Sequence, residues 1–269
     1  MNRPGQSSPS HCIIIPSYNS GTLLTPTLRS VLPIGLPTFL VIDGSTDSSE
    51  RTATSLANDF PNLHVFPLQQ NQGKGGAVLI ALRLALSRGF SHAVLFDSDG
   101  QHDQRDIPSM IRLSRQFPEA MILGSPIFGP DAPAIRVYGR RIANWCTNIE
   151  SLWGGLGDSL FGFRIYPVDA SIRILDGITS GRRFDFETQL AIRLYWNGTP
   201  AIQFPTRVVY PEKTSGGVSH FKYLRDNLLL IKTHTALVFK ALGMFSRLLN
   251  LRKHNTVYRT ESAKHARRL

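Results

Sequence analysis

Cysteine is scarce, with two residues, Cys12 and Cys146, in a chain of 269. One falls in an apolar run and the other in a helical pattern, so no disulfide framework is expected and a reducing compartment fits. No uninterrupted apolar run approaches the roughly 18 residues of a membrane-crossing helix. The first ten residues are polar and lack the apolar core of a signal peptide. Internal repeats, low-complexity tracts and the Gly-Lys-Ser/Thr of a Walker loop are all missing. Acid is short as well: 19 Asp and Glu against 30 Lys and Arg, a net charge of +11. That imbalance is local. Residues 218–269 carry eleven basic and two acidic residues, +9, while residues 1–217 carry nineteen and seventeen, +2. A nucleic-acid-binding surface would line a groove with basic and aromatic residues. Here the charge sits on one helix face and a tail, so no nucleic-acid partner is expected.

What is present reads as globular: 42% hydrophobic and 18% charged residues, with length enough for a large core. Apolar, often β-branched runs recur every 25 to 30 residues or so, each followed by a helical pattern. The reading gives strands at His11–Ile15, Thr38–Ile42, Leu63–Phe66 and His92–Phe96, with helices at Thr22–Leu32, Thr52–Ala57 and Ala77–Ser87 between and after them. This argues βαβ units, a parallel sheet and ligand loops at the strands' carboxyl ends. Beyond residue 99 the reading continues with helices at Asp106–Phe117, Ile135–Leu152 and Phe186–Trp196. It places strands at Met121–Gly124 and Leu160–Ile165, then an edge strand or hairpin straddling Pro205, and a flexible loop at Lys213–Gly217.

The chain's central stretch is Ala93–His102. A short buried strand ends at Asp97-Ser98-Asp99-Gly100-Gln101. Residues two apart in extended chain point the same way, so Asp97 and Asp99 can both face the crevice beyond the strand. Two carboxylates, with the Gln101 amide oxygen as a third ligand, suit a hard divalent cation holding a diphosphate.

Five segments in order carry a resemblance: Pro16-Ser17-Tyr18-Asn19, Asp43-Gly44-Ser45-Thr46-Asp47, Gly73-Lys74-Gly75, Asp97-Ser98-Asp99-Gly100-Gln101-His102 and Gly162-Phe163-Arg164. Over about residues 11–215 the chain resembles family 2 glycosyltransferases, nearest the dolichyl-phosphate mannose synthase branch. The resemblance implies an α/β GT-A fold, a mostly parallel sheet flanked by helices, with a nucleotide-sugar donor (UDP- or GDP-sugar) and Mg²⁺ or Mn²⁺. It implies a donor site of Pro16, Tyr18, Asn19, Asp43, Lys74, Asp97, Ser98 and Asp99, with Asp97, Asp99 and Gln101 on the metal. Asp47 is read as a helix N-cap. Glu187 matches the acid that deprotonates an acceptor hydroxyl in an inverting transfer, with Asp158 and the neighbouring Asp185 as further candidates. Arg136, Arg140 and Arg164 are expected on the acceptor side. His102 is left unassigned, with an outer-shell role open.

The chain also departs from the family. Ile42 replaces the first of two acids, leaving base contact to Asp43. Gly124-Ser125-Pro126 stands where polyprenyl-phosphate enzymes have Gly-Ser-Arg, and Phe161 stands where serine is usual. The expected activity is therefore transfer of a sugar to a lipid-linked or lipid-like acceptor, with a polyprenyl-phosphate sugar synthase as the alternative. A sugar-1-phosphate nucleotidyltransferase would need a Gly-rich, Arg-containing loop after the first strand, which this chain lacks.

At the C-terminus, Phe221, Leu224, Leu228, Ile231, Thr235, Val238, Leu242, Phe245 and Leu249 form an apolar stripe at helical spacing. Lys222, Arg225, Lys232, Lys240 and Arg247 gather opposite it, on one helix or on two broken near Gly243. The expected organisation is a disordered N-terminus at 1–10, a catalytic domain at 11–217, a basic amphipathic segment at 218–250 and a disordered basic tail at 251–269. The amphipathic segment is expected either to pack on the domain or to lie on an anionic membrane surface. The second case makes the protein cytoplasmic and peripheral on the cytoplasmic face of the membrane.

Overall fold

A computed structural model describes residues 10–129, 134–178, 183, 185–209 and 223–266. The first half alternates as the apolar runs dictate: β1 (His11–Ser17), α1 (Leu24–Val31), β2 (Thr38–Asp43), α2 (Ser49–Asp59), β3 (Leu63–Leu68), α3 (Lys74–Ser87) and β4 (His92–Leu95). β1, β2 and β4 are buried along their whole length, as strands covered by helices on both faces must be. Then follow α4 (Ile107–Gln116), β5 (Met121–Ile127), α5 (Ala134–Glu150), β6 (Arg164–Pro167), α6 (Val168–Asp176), α7 (Phe186–Trp196), β7 (Ala201–Arg207), α8 (Tyr223–Leu242) and α9 (Phe245–Ala266).

Among the described residues seven strands form one sheet in the order β3-β2-β1-β4-β6-β5-β7. Every pairing is parallel except those of β6, which runs against both β4 and β5. From β1 the chain moves outward through β2 and β3, then returns to place β4 on β1's other side. A crevice therefore opens beyond the carboxyl ends of β1 and β4, where the strand order reverses. Two apolar cores fill the faces. One is centred on α3 and α7, the other on α1, α4 and Phe161 and Phe163. Helix α3 is buried almost all round because it is wedged between the sheet and α6.

Several expectations need correction. The strand expected at Leu160–Ile165 begins only at Arg164, because residues 160–163 form a loop against the crevice. Helix α6 was not anticipated. Of the two readings of the Pro205 segment the edge strand is the one found, since an edge tolerates proline. Its continuation from residue 210, with the Lys213–Gly217 loop, lies outside the described residues. Ser10, expected to be disordered, hydrogen-bonds with Gly89 and Ser91; residues 1–9 lie outside the described residues.

The tail expected to be disordered from residue 251 is helical to Ala266. The cause is a buried clasp. Asn255 on α9 accepts from Ala201 N–H at 2.7 Å, and its amide donates to the carbonyls of Gly154 (2.7 Å) and Ala201 (3.2 Å). Tyr258, one turn on, donates to Glu119 at 2.6 Å. These bonds tie α9 to Ala201 at the start of β7, to Gly154 and to Glu119 before β5. Replacing Asn255 by alanine strands three buried backbone groups, which costs about 1–3 kcal/mol for each group left unpaired. The urea midpoint should fall with no change in slope. An unchanged midpoint would show that α9 lies outside the cooperative unit.

Candidate active site

Five strand-end segments converge on the crevice. After β1 the chain turns through Asn19, held in the left-handed region at φ 46°. Its side-chain oxygen accepts from Thr46 N–H at 2.7 Å, and its own N–H donates to Ser45 Oγ at 3.0 Å. Asp47, expected as the N-cap of α2, stands one residue before the actual cap, Ser48; it accepts from Gly21 N–H and from Ser49 N–H and so makes a second loop-to-loop tie. The loops after β1 and β2 are thus one rigid unit. Pro16 is buried within β1, and Tyr18 is partly exposed at its end.

Asp43 is almost fully buried, and Oδ1 accepts from Gln72 N–H at 2.6 Å. Burial raises its pKa; the N–H groups of Gln72 and Gly73 and the charge of Arg183 partly offset this. The adjacent Gly44 has φ +64°, and a Cβ there would meet Asn71 N at 2.5 Å. The loop before α3 presses on the β2 loop only because residue 44 has no side chain.

At the centre, Lys74 Nζ lies 2.6 Å from Asp97 Oδ1 and 2.6 Å from Glu187 Oε1. Burial disfavours the charge on Asp97, yet Lys74 and His102 hold its carboxyl well below the usual range. Burial likewise opposes the ammonium, but the two carboxylates raise Lys74 above an ordinary lysine. Asp99 goes the other way: burial and the negative charge of Asp97 push it up, while Oδ1 accepts from Gln101 N–H at 3.0 Å. Beneath the turn, Ser17, Ser20 and Ser98 form a hydroxyl chain with 2.8 Å links.

His102 is boxed by Phe96, Phe161 and Phe163, its ring stacked on Phe163 at 5.3 Å. Nε2 lies 3.3 Å from Asp97 Oδ2, near enough for attraction but without hydrogen-bond geometry. Phe161, where the family has serine, therefore forms one wall of a box around the histidine that flanks Asp97.

The acceptor-side expectations divide. Arg140 pairs with Asp158 at 2.7 Å and lies over the rings of Phe128 and Phe161. Asp158 also accepts from Asn144 and Leu160 N–H, so it serves as the counter-ion of Arg140 and does not stand free as a base. Arg164 is not on an accessible face. It is wholly buried, bonded to the carbonyls of Phe161, Asp158 and Glu187 and to Tyr166 Oη. Its guanidinium shapes the loop that carries Gly162. Asp185 is also fully buried, turned from the crevice toward Gln189 and Thr233. The side chain of Arg136 lies outside the described residues.

Sequence reading missed the direct Lys74–Glu187 contact, which joins residues 113 apart. Gly162 carried part of the resemblance but was given no role; a Cβ there would lie 2.5 Å from Asp97 Oδ2 and 2.7 Å from Glu187 Oε1.

A divalent cation fits the donor chemistry here. Asp97 and Asp99 are hard oxygen ligands, and the raised Asp99 marks a like-charge pair that a cation would relieve. Among the described residues no third His, Cys, Asp or Glu joins them. The remaining ligands would then come from the substrate's phosphates and water, as is usual for Mg²⁺.

Gly162→Ala drives a methyl group between the two carboxylates and should lower kcat by about a hundredfold, the scale of a 1 Å misplacement. Circular dichroism should show an unchanged fold. Near-normal turnover would mean that the Asp97–Glu187 spacing is not critical.

Comparison with known proteins agrees with this geometry. Undecaprenyl-phosphate mannosyltransferase of Micrococcus luteus is 29% identical over 225 residues, 76% of this chain and 87% of that protein. UDP-N-acetylglucosamine–dolichyl-phosphate N-acetylglucosaminyltransferase of Methanococcus voltae is 25% identical over 216 residues, 74% of this chain and 86% of that protein. The fold matches glucosyl-3-phosphoglycerate synthase of Mycobacterium tuberculosis, solved with Mn²⁺, UDP-glucose and phosphoglyceric acid. That match has TM-score 0.63 and 13% identity, covering 90% of this chain and 86% of that one. The family model for glycosyl transferase family 2 matches residues 12–175. The chain belongs to glycosyl transferase family 2 and is a glycosyltransferase of GT-A fold.

Proposed function

We propose that the protein transfers a sugar, with inversion, from a UDP- or GDP-sugar to a polyprenyl-phosphate acceptor at an anionic membrane surface. The observation that carries the acceptor choice is the Lys74 bridge. Glu187, in the family position of a base, has Oε1 engaged by an ammonium at 2.6 Å. An acceptor hydroxyl must lose a proton as it attacks, whereas a phosphate oxygen is already ionised at neutral pH and needs no base. The two relatives' names agree on a polyprenyl- or dolichyl-phosphate acceptor and differ in the sugar. They support the acceptor class and leave the donor open.

On this reading the nucleotide lies across the joined loops after β1 and β2, with Asp43 toward the base. The diphosphate meets Lys74 and the Asp97–Asp99 turn. Asp97 and Asp99, with Gln101, would hold Mg²⁺ or Mn²⁺, which supplies Lewis-acid neutralisation of the leaving diphosphate. Lys74 adds a fixed positive charge at the same place, aligned by Glu187. An acceptor phosphate oxygen attacks the anomeric carbon opposite the diphosphate. The carbon–oxygen bond to the diphosphate breaks, and the nucleoside diphosphate leaves. Arg140, which is paired with Asp158, would attract the incoming phosphate.

Glu187→Gln keeps an oxygen that can accept from Lys74. With undecaprenyl phosphate and a panel of GDP-mannose, UDP-glucose and UDP-N-acetylglucosamine, its kcat should stay within about tenfold of wild type. Loss of a general base would instead cost about two to four orders of magnitude. A loss of that size would restore the hydroxyl-acceptor reading.

The membrane partner rests on α8 and α9. The sequence suggested a stripe that packs inward or faces lipid, and on α8 its members Leu228, Ile231, Thr235 and Leu242 are exposed while Val238 is half-buried. Phe239, outside the stripe, is 71% exposed. Tyr138, Ile142 and Trp145 on α5 also stand exposed. Lys232, Lys240 and Arg247 are exposed, a pattern that suits a helix seated at a headgroup boundary. Among the described residues no single helix is long and apolar enough to cross a membrane; Leu228–Leu242 and Phe245–Thr260 reach that length and hydropathy only together, across a 95° bend.

Each cation near an anionic leaflet adds about 1 kcal/mol. Reversing Lys232, Lys240 and Arg247 to glutamate should abolish co-sedimentation with phosphatidylserine-containing vesicles while the protein stays folded. Undiminished sedimentation of the variant would exclude this surface.

A further inference from the structure

The inner face of α8 is polar where it meets the catalytic domain. Thr233 Oγ1 donates to Asp185 Oδ2 at 3.0 Å, and His234 Nδ1 lies 2.8 Å from Glu150 Oε1 at the end of α5. All four side chains are buried. Asp185 is the N-cap residue of α7; its Oδ2 also accepts from Gln189 Nε2 at 3.0 Å, and its carbonyl accepts from Gln189 N–H at 3.1 Å. Its other oxygen, Oδ1, has no partner among the described residues. Two residues further along α7 is Glu187, which holds Lys74 against Asp97.

We propose that Thr233 is a positioning residue: through Asp185, α8 fixes the first turn of α7 so that Glu187 keeps Lys74 at the Asp97 turn. The link is short and directional. A buried carboxylate with one oxygen unpaired depends heavily on the bonds that its other oxygen accepts. Removing the Thr233 hydroxyl takes one of two side-chain donors from Oδ2, and the turn carrying Glu187 is free to shift. The same helix turns its apolar face outward, so a surface that seats α8 would also steady the reaction centre. This inference rests on the reading of Lys74, Asp97 and Glu187 as that centre, and one of its two measurements is independent of activity.

The test compares full-length wild type, Thr233→Val and Thr233→Ser. The first measurement is the rate at which acetic anhydride labels Lys74, read by mass spectrometry against exposed Lys232 in the same sample. The second is kcat and donor KM, with the donor panel and undecaprenyl phosphate in anionic vesicles. Thr233→Val should raise relative labelling of Lys74 several-fold and lower kcat about ten- to a hundredfold, with donor KM within about twofold. Thr233→Ser, which keeps the hydroxyl, should restore both. If Thr233→Val does not fold, Thr233→Ala removes the hydroxyl without adding bulk and carries the same comparison. Wild-type labelling and kcat in a folded Thr233→Val would overturn the proposal. So would a loss that Thr233→Ser fails to rescue, since the hydroxyl would not then be the cause. Faster labelling with unchanged kcat would confirm the mechanical link and defeat the assignment of the reaction centre.

Discussion

A lysine ammonium held between two carboxylates is the constraint on which the centre of this molecule depends. Three mutually close charges from α3, the end of β4 and the start of α7 meet in a place that is four-fifths or more buried. Burying any one alone would cost several kcal/mol, and together they are tolerable because each satisfies another. Removing Lys74 would leave two buried carboxylates with no cation between them, so the ammonium fixes the three segments relative to one another. Much of the surrounding architecture serves this meeting. Gly162 gives the carboxylates room, and Arg164, wholly buried, pins both the Gly162 loop and the Glu187 carbonyl. The aromatic box around His102 presents one nitrogen to Asp97.

The parts legible in the sequence share a physical character: they are local. The strands β1 to β4 and helices α1 to α3 follow from apolar runs and their periods, since a buried parallel strand must be continuously apolar. The Asp97–Asp99 turn was legible because strand-end acids two apart need only local geometry to point together. Asp43 was picked out by the family resemblance, and both sit where the sheet delivers strand ends to one crevice.

The parts that were not legible depend on long-range packing. Nothing in the neighbourhood of Lys74 says that its partner is Glu187, because phosphate contact and a carboxylate pair ask the same residue of the sequence. Arg164 and Asp185 were placed at the site because motif position gives order along the chain and not the direction of a side chain. One lies in a strand and the other at a helix start, and both turn inward. Phe161 looked like a departure from the family, but its ring packs edge-on against His102 at 4.7 Å. Its meaning lies in a contact 59 positions away in the sequence, as the two residue numbers show.

The C-terminal helices show the limit most clearly. Periodicity finds an apolar stripe but cannot say what the stripe touches, since a protein core and a lipid surface select the same side chains. In α8 the docked face includes Leu230, Thr233, His234, Leu237 and Ala241, a mixture whose two polar members meet Asp185 and Glu150, His234 through Nδ1 alone. Those polar residues lower the face's apolar signal, so the outward face dominates the pattern. In α9 the buried Leu248 is joined by an asparagine, Asn255, which hydropathy reads as solvent-exposed. A buried polar residue that binds backbone contributes specificity where an apolar one would contribute area. Helices attached this way to a finished domain are therefore the elements most easily mistaken for a free tail.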